Sequence, residues 1–174
     1  MSGMATARDE TADIDGAYAW TRLALSILLS TVGGAGMWAV IVVLPAVQAE
    51  FGVDRADASL PYTATMMGFA LGNVFVGRAI DRVGFMLPAL AASVALGLGF
   101  ILASMAPSVT LFGVVQGVLI GTGSSATFGP LLADISHWFR RRRGIAVAAA
   151  ASGNYLAGAI WPVVMQPFLL SQGW

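Results

Sequence analysis

An all-α integral membrane protein is what these 174 residues specify, on three grounds. Hydrophobic residues make up 57% of the chain and charged residues only 10%, where an ordinary soluble domain carries about 25% charged residues. The charges are segregated: Leu23–Ala49, Ala58–Gly77, Val83–Ala133 and Gly144–Trp174 hold no Asp, Glu, Lys or Arg, over 27, 20, 51 and 31 residues. These runs do not alternate apolar and polar residues as barrel strands do, so their backbone polar groups must be satisfied within helices. A soluble helix bundle would need polar outer faces, and these segments are apolar nearly all round.

Five spans follow in order. Residues 1–22 form a tail expected to be cytoplasmic, with Asp9, Glu10, Asp13 and Asp15 ahead of the first apolar run and no signal-peptide cleavage pattern. A bilayer-crossing helix needs about 20 apolar residues. The first run gives a span over Leu23–Val47 and the second a span over Ser59–Val76. The 51-residue run is too long for one span, and Ala106-Pro107-Ser108 divides it into Phe85–Met105 and Val109–Ala133. The last run gives Ile145–Leu170, so residues 23–174 make one transmembrane unit.

Arginine placement orients the bundle. With the N-terminus inside, Arg8, Arg22, Arg78, Arg82 and Arg140 to Arg143 lie on the inner side and Arg55 alone on the outer. That is the bias expected of a multi-pass protein of the cell (inner or plasma) membrane. The formal net charge of +0 gives no footprint for nucleic acid. The absence of cysteine and the single histidine, His137, leave no metal cluster and no thiol chemistry, and no nucleophile–base pair suggests an enzyme. No cofactor is expected.

Small residues supply the means of helix association. Gly113, Gly117 and Gly121 recur every four residues in the fourth span, and Gly68 and Gly72 do so in the second. In lipid such faces let backbones approach closely. Packing accounts for most of these glycines and helix bending for a minority.

Three local patterns carry a function. Gly77-Arg78-Ala79-Ile80-Asp81-Arg82-Val83-Gly84 is expected as a short inner loop between spans two and three. Gly77 permits a close helix approach, Gly84 a permissive turn, and Asp81 and Arg82 supply charges for a helix N-terminus and a facing carboxylate. The stretch resembles the G-x-x-x-D-R-x-G signature of the major facilitator superfamily. Phe85 and Met86 stand where that signature usually has two basic residues. Asp15-Gly16-Ala17-Tyr18-Ala19-Trp20 is similar to the signature that precedes the first span in the monocarboxylate-transporter branch. Trp138-Phe139-Arg140-Arg141-Arg142-Arg143-Gly144-Ile145-Ala146 resembles the opening of span five in monocarboxylate and oxalate/formate-type transporters.

The resemblance runs from Asp15 to Trp174 and covers five of twelve helices, so the chain is read as an incomplete N-terminal six-helix half. It implies secondary active transport of a small solute, with a monocarboxylate or related organic anion as the leading class, by alternating access and with proton coupling. A drug or sugar substrate on the same fold stays open, as does a truncated, non-transporting membrane remnant. Implied partners are the solute, a proton, the bilayer, and either the missing helices or a self-association partner.

Spans one, two, four and five line the cavity in that superfamily. Their bulky or amide-bearing polar residues give the substrate-site candidates Trp38, Gln116, Asn154 and Tyr155, with Asn73 assigned to helix–helix bonding. No span carries a charge at its centre, and the chain has no lysine to meet a carboxylate. The inner gate is expected from Gly77, Asp81, Arg82, Gly84 and Asp134, with Asp134 paired to Arg82 in an Asp–Arg–Asp relay. His137 is read as an interfacial residue rather than a proton carrier.

Overall fold

The computed structural model describes residues 14–172, and among them every regular element is helical. Helix α1 (Ala17–Gly33) is followed at Gly34 by α2 (Ala35–Phe51), and the two form one 35-residue path. α2 ends at Gly52, whose φ of 61° is the left-handed conformation that glycine adopts without steric cost. Asp54 caps α3 (Arg55–Val83) by accepting from the N–H of Asp57 at 2.8 Å. α4 (Met86–Ser104) follows the turn at Gly84, and Ser108 caps α5 (Val109–Val115). The chain runs on through a π-helical stretch, Gln116–Gly121, into α6 (Thr122–Ser125). It then turns over 126–128 into α7 (Gly129–Trp138), and α8 (Arg143–Gln172) closes the bundle.

Four stretches are long and apolar enough to cross a membrane: Ala17–Phe51, Met86–Ser104, Val109–Trp138 and Arg143–Leu169. At 29 residues α3 is long enough too. It is more polar, with Arg55 and Asp57 at one end, Arg78, Asp81 and Arg82 at the other, and Thr63, Thr65 and Asn73 between.

The helices depart from the expected spans in two informative ways. The Gly77–Gly84 signature was expected as a loop, yet Gly77–Val83 are the last turns of α3, and only Gly84 and Phe85 connect to α4. No breaker lies between the two glycines, so the helix carries its charges out past the apolar run. Val109–Ala133 was expected as one helix and is instead interrupted twice. At the second interruption the N–H groups of Ala126, Thr127 and Phe128 turn back onto the carbonyls of Gly123, Ser124 and Ser125. The Oγ of Ser30, just before the break in span one, donates to the Thr127 carbonyl at 2.8 Å. The interruptions of the two spans are thereby tied together.

Glycine contacts set the two closest helix pairs. Gly68 on α3 packs against the backbone of Gly117, and Gly153 on α8 faces α1 so closely that a Cβ would come within 2.6 Å of the Ile27 carbonyl. The apolar core is in two parts. One joins Ala19 and Leu23 to Ile135, Phe139, Ala146 and Ala150. The other joins Val40 and Val47 to Ala103, Phe112, Val115 and Ile120. Along spans one and four the buried hydroxyls of Ser26, Ser30, Ser124 and Ser125 fall between them. Large apolar side chains remain exposed on the outer faces, Leu28, Val32, Leu90 and Val163 among them, as lipid-facing or partner-facing surface requires.

Candidate functional site

A cleft of about 830 Å³ opens between α1, α3 and α7 at the end of the bundle where α3 terminates. Leu25, Leu29, Ile80 and Phe85 give it apolar walls. Arg22, Asn73, Asp81, Asp134 and His137 supply its polar groups. Asn73 fixes one wall: its Nδ2 donates to the Phe69 carbonyl at 2.8 Å and its Oδ1 accepts from the N–H of Gly129 at 3.2 Å. The amide thus joins α3 to the start of α7, as its assignment to helix–helix bonding anticipates.

The centre of the polar edge is an ion pair. Arg22 Nη2 lies 2.9 Å from both carboxylate oxygens of Asp134, and its Nε lies 3.3 Å from Oδ2. Arg22 also donates to the hydroxyl of Tyr18 at 3.1 Å and lies 4.7 Å from the ring centroid of Trp138. The expected Asp134–Arg82 pair does not form. Arg82 sits exposed on the final turn of α3, whereas Arg22 on α1 faces α7 directly. The two side chains are 33% and 38% exposed, so water screens the pair, and exposed pairs of this kind contribute about 0.2–1 kcal/mol. Its greater consequence is positional: it joins span one to span four.

Two of the sequence signatures interlock beside this pair. Asp15 stands in the left-handed region at φ 59° and donates its N–H to the Trp138 carbonyl at 3.0 Å. Its Oδ2 accepts from the backbone N–H groups of Arg140 and Arg141 at 3.3 and 3.2 Å. Tyr18 packs edge-on against Trp138 at 5.1 Å between centroids, and Trp20 against Phe139 at 5.2 Å. The segment before α1 therefore holds the α7–α8 turn.

Of the expected gate residues, Gly77, Asp81 and Asp134 line the cleft, Gly84 makes the turn at φ 80°, and Arg82 lies outside the lining. A Cβ on Gly77 would meet nothing within 4 Å, so that face is open. The substrate-site candidates do not line the cleft. Trp38 and Asn154 meet each other further along the bundle: Trp38 Nε1 donates to the Asn154 carbonyl at 2.9 Å, and Asn154 Nδ2 lies 3.9 Å from Met37 Sδ. Gln116 is buried within the α3 contact, where its Oε1 accepts from Thr65 Oγ1 at 3.4 Å. Tyr155 is 70% exposed. Sequence reading missed Arg22 as the partner of Asp134 and Asp15 as the anchor of the Arg140–Arg143 turn. The available signal was the place of Asp15 and Arg22 at either edge of the aromatic Tyr18–Trp20 segment.

This arrangement of glycine-packed helices agrees with comparison to known proteins. A family model described as Major Facilitator Superfamily matches residues 26–174. The chain belongs to the major facilitator superfamily. It is thus a multi-pass membrane protein of a transporter family, and not an enzyme. It is 34% identical over 106 residues to the MFS-type transporter pynF of Aspergillus niger, covering 60% of this chain and 24% of that protein. It is 31% identical over 117 residues to the fujikurins efflux protein of Gibberella fujikuroi, covering 67% and 25%. It is 29% identical over 168 residues to monocarboxylate transporter 12 of Homo sapiens, covering 94% and 32%. The chain therefore spans about a quarter to a third of the length of these relatives.

Proposed function

We propose that this chain supplies the first five helices of a secondary active transporter for a small organic anion of the monocarboxylate class. The observation that carries the reading is the cleft bordered by the Arg22–Asp134 pair, in a superfamily member whose Asp15–Trp20 and Trp138–Ala146 segments interlock at the cleft mouth. The similarity to monocarboxylate transporter 12 over 94% of the chain supports the solute class.

The mechanism is alternating access, in which this bundle rocks against a second one around a site near the bilayer midplane. Asp15 and the α7–α8 turn lie on the cytoplasmic side, in keeping with eight arginines there against one opposite. Arg22, Asp81 and Asp134 then border the inner mouth. Trp38 and Asn154, with Tyr155, contribute to the solute path deeper in the bundle, while Gln116 is held in the closed contact with α3. Arg22 is a cation on that path, and an organic anion would be drawn to it once Asp134 moves away. A proton gradient drives the cycle.

The test is reconstitution of the intact protein into vesicles, with uptake of radiolabelled lactate and pyruvate measured with and without an inward proton gradient. Saturable uptake accelerated by the gradient is the expected result. Saturable uptake that ignores the gradient would remove the proton from the scheme. Absence of carboxylate uptake, together with export of a bulky apolar metabolite, would favour a second reading. The apolar walls Leu25, Leu29, Ile80 and Phe85 and the likeness to an efflux protein support that alternative.

A further inference from the structure

The turn between α7 and α8 places Arg140, Arg141, Arg142 and Arg143 in sequence, and all four are exposed. Among the described residues none of these guanidiniums is in an ion pair. The carboxylate nearest in the hydrogen-bond network is Asp15, and its Oδ2 is spent on the backbone N–H groups of Arg140 and Arg141 rather than on their side chains. The backbone of the turn is therefore fixed, and among the described residues its four charges have no carboxylate partner. The mounting is aromatic and apolar. Phe139, 1% exposed, is buried beside Ala19 and Ala146 in the core and stacks edge-on with Trp20, and Trp20 and Tyr18 themselves are 44% and 47% exposed. One turn into α8, Ile145 is 68% exposed. A row of exposed cations, unpaired among the described residues, thus sits on a fixed backbone at the end of membrane-crossing helices, next to exposed aromatic rings and an exposed aliphatic side chain.

We infer that this turn is a docking surface for the phosphate groups of anionic phospholipids in the adjoining leaflet. Phosphates of a bilayer lie at the level of interfacial Trp and Tyr rings, which is where Trp20 and Tyr18 hold the turn. Arginine bonds phosphate through a planar fork of donors and is held less tightly by water than lysine. Clusters of four or more bases beside a membrane helix attract anionic lipid. The apolar neighbours commit the surface to a lipid rather than a soluble phosphate, because only a lipid offers acyl chains to Trp20 and Ile145. The inference needs the membrane assignment of the fold and is independent of the solute.

The experiment is lipid retention by the purified intact protein, read by native mass spectrometry from equimolar phosphatidylglycerol and phosphatidylcholine. Phosphatidylglycerol should be retained in preference, and rising salt should erode that preference. Each arginine near an anionic surface contributes about 1 kcal/mol, or about fivefold in affinity. The pairs Arg140→Gln/Arg141→Gln and Arg142→Gln/Arg143→Gln should therefore each weaken phosphatidylglycerol retention by about 25-fold. Replacing all four arginines by lysine should keep most of it. The two pairs are tested separately, so misfolding of a fourfold glutamine variant would not leave the question open. Equal retention of the two lipids by the unaltered protein, or glutamine pairs that retain phosphatidylglycerol as before, would overturn the inference. So would displacement of the lipid by inorganic phosphate at matching phosphate concentration, since the surface would then read phosphate alone.

Discussion

Arg22 and Asp134 stand 112 positions apart and meet at 2.9 Å, with one guanidinium nitrogen held between both carboxylate oxygens. Asp134 accepts from Trp138 Nε1 as well, at 3.4 Å, and Trp138 packs on Arg22 and on Tyr18. The ion pair is thus one member of a cluster in which charge and aromatic packing favour the same approach of α1 to α7. Both residues belong to the same bundle, so the pair fixes α1 against α7 within it.

Arg22→Gln and Asp134→Asn should each change the accessibility of cysteine probes placed along the cleft, at Leu29 for example. The reversed pair Arg22→Asp/Asp134→Arg should restore part of the original pattern. The cost in thermal stability should stay small, about 0.2–1 kcal/mol, because the pair is partly exposed. Arg82→Gln serves as the comparison. Were Arg82→Gln to reproduce the Asp134→Asn effect while Arg22→Gln did nothing, Arg82 would be the functional partner in the working protein.

Asp15→Ala removes the acceptor of two backbone N–H groups and places alanine in a left-handed backbone. We expect a loss of about 1–2 kcal/mol, in keeping with the value of hydrogen bonds to a charged acceptor at a partly exposed site. Asp15→Gly loses the bonds but tolerates the backbone, so it should cost less. The midpoint of thermal unfolding in detergent would show the order. Equal midpoints for both variants and the unaltered protein would mean that the turn is held by its aromatic contacts alone.

Gly68→Ala should be among the most damaging single changes in α3. Its new methyl would overlap the Gly117 backbone, and backbone cannot swing aside as a flexible side chain can. Overpacking in a tight contact costs about 1–3 kcal/mol. Gly97→Ala on α4 is the control, since a Cβ there meets nothing within 4 Å. Membrane abundance and thermal midpoints should drop for the first and hold for the second. Similar values for the two would argue that α3 and the π-helical stretch are looser than their glycine contact implies.

The segregation of charge made the helices and their order legible, because the apolar length of each run decides where a helix can lie. The ends of α3 and the interior of span four were not legible in the same way. Asp81 and Arg82 look like loop residues by charge, yet a helix leaving the bilayer meets water without needing to stop. The π-helical stretch Gln116–Gly121 arises where Gly117 and Gly121 approach Ala64, Thr65 and Gly68 on α3, a tertiary contact that spacing alone does not disclose. Of the five residues expected at an inner gate, three line one cleft. Its ion pair was assigned to the wrong arginine, because sequence shows which charges exist and not which helix faces which.

The four polar residues expected at a substrate site, Trp38, Gln116, Asn154 and Tyr155, lie in separate environments, with only Trp38 and Asn154 in contact among them. Gln116 is 3% exposed, and Thr65, its bonding partner at 3.4 Å, is 0% exposed, so its amide belongs to a closed helix contact. Removing it strands the Thr65 side chain less than it opens a gap, and the cost falls on folding. Asn154 is partly exposed, and among the described residues Nδ2 meets only the soft Met37 sulfur at 3.9 Å, so its amide retains capacity for another ligand. In the intact protein Gln116→Ala should lower membrane abundance and leave the apparent KM of the surviving protein unchanged. Asn154→Ala should leave abundance unchanged and raise the apparent KM by about tenfold, the worth of one hydrogen bond of about 1.4 kcal/mol. Trp38→Phe, which loses the bond to the Asn154 carbonyl, should raise KM in the same direction by displacing the amide. Uptake kinetics normalised to surface protein separate these outcomes. The reverse pattern, with KM moved by Gln116→Ala and abundance by Asn154→Ala, would place the solute against the α3 contact and make Asn154 a structural residue.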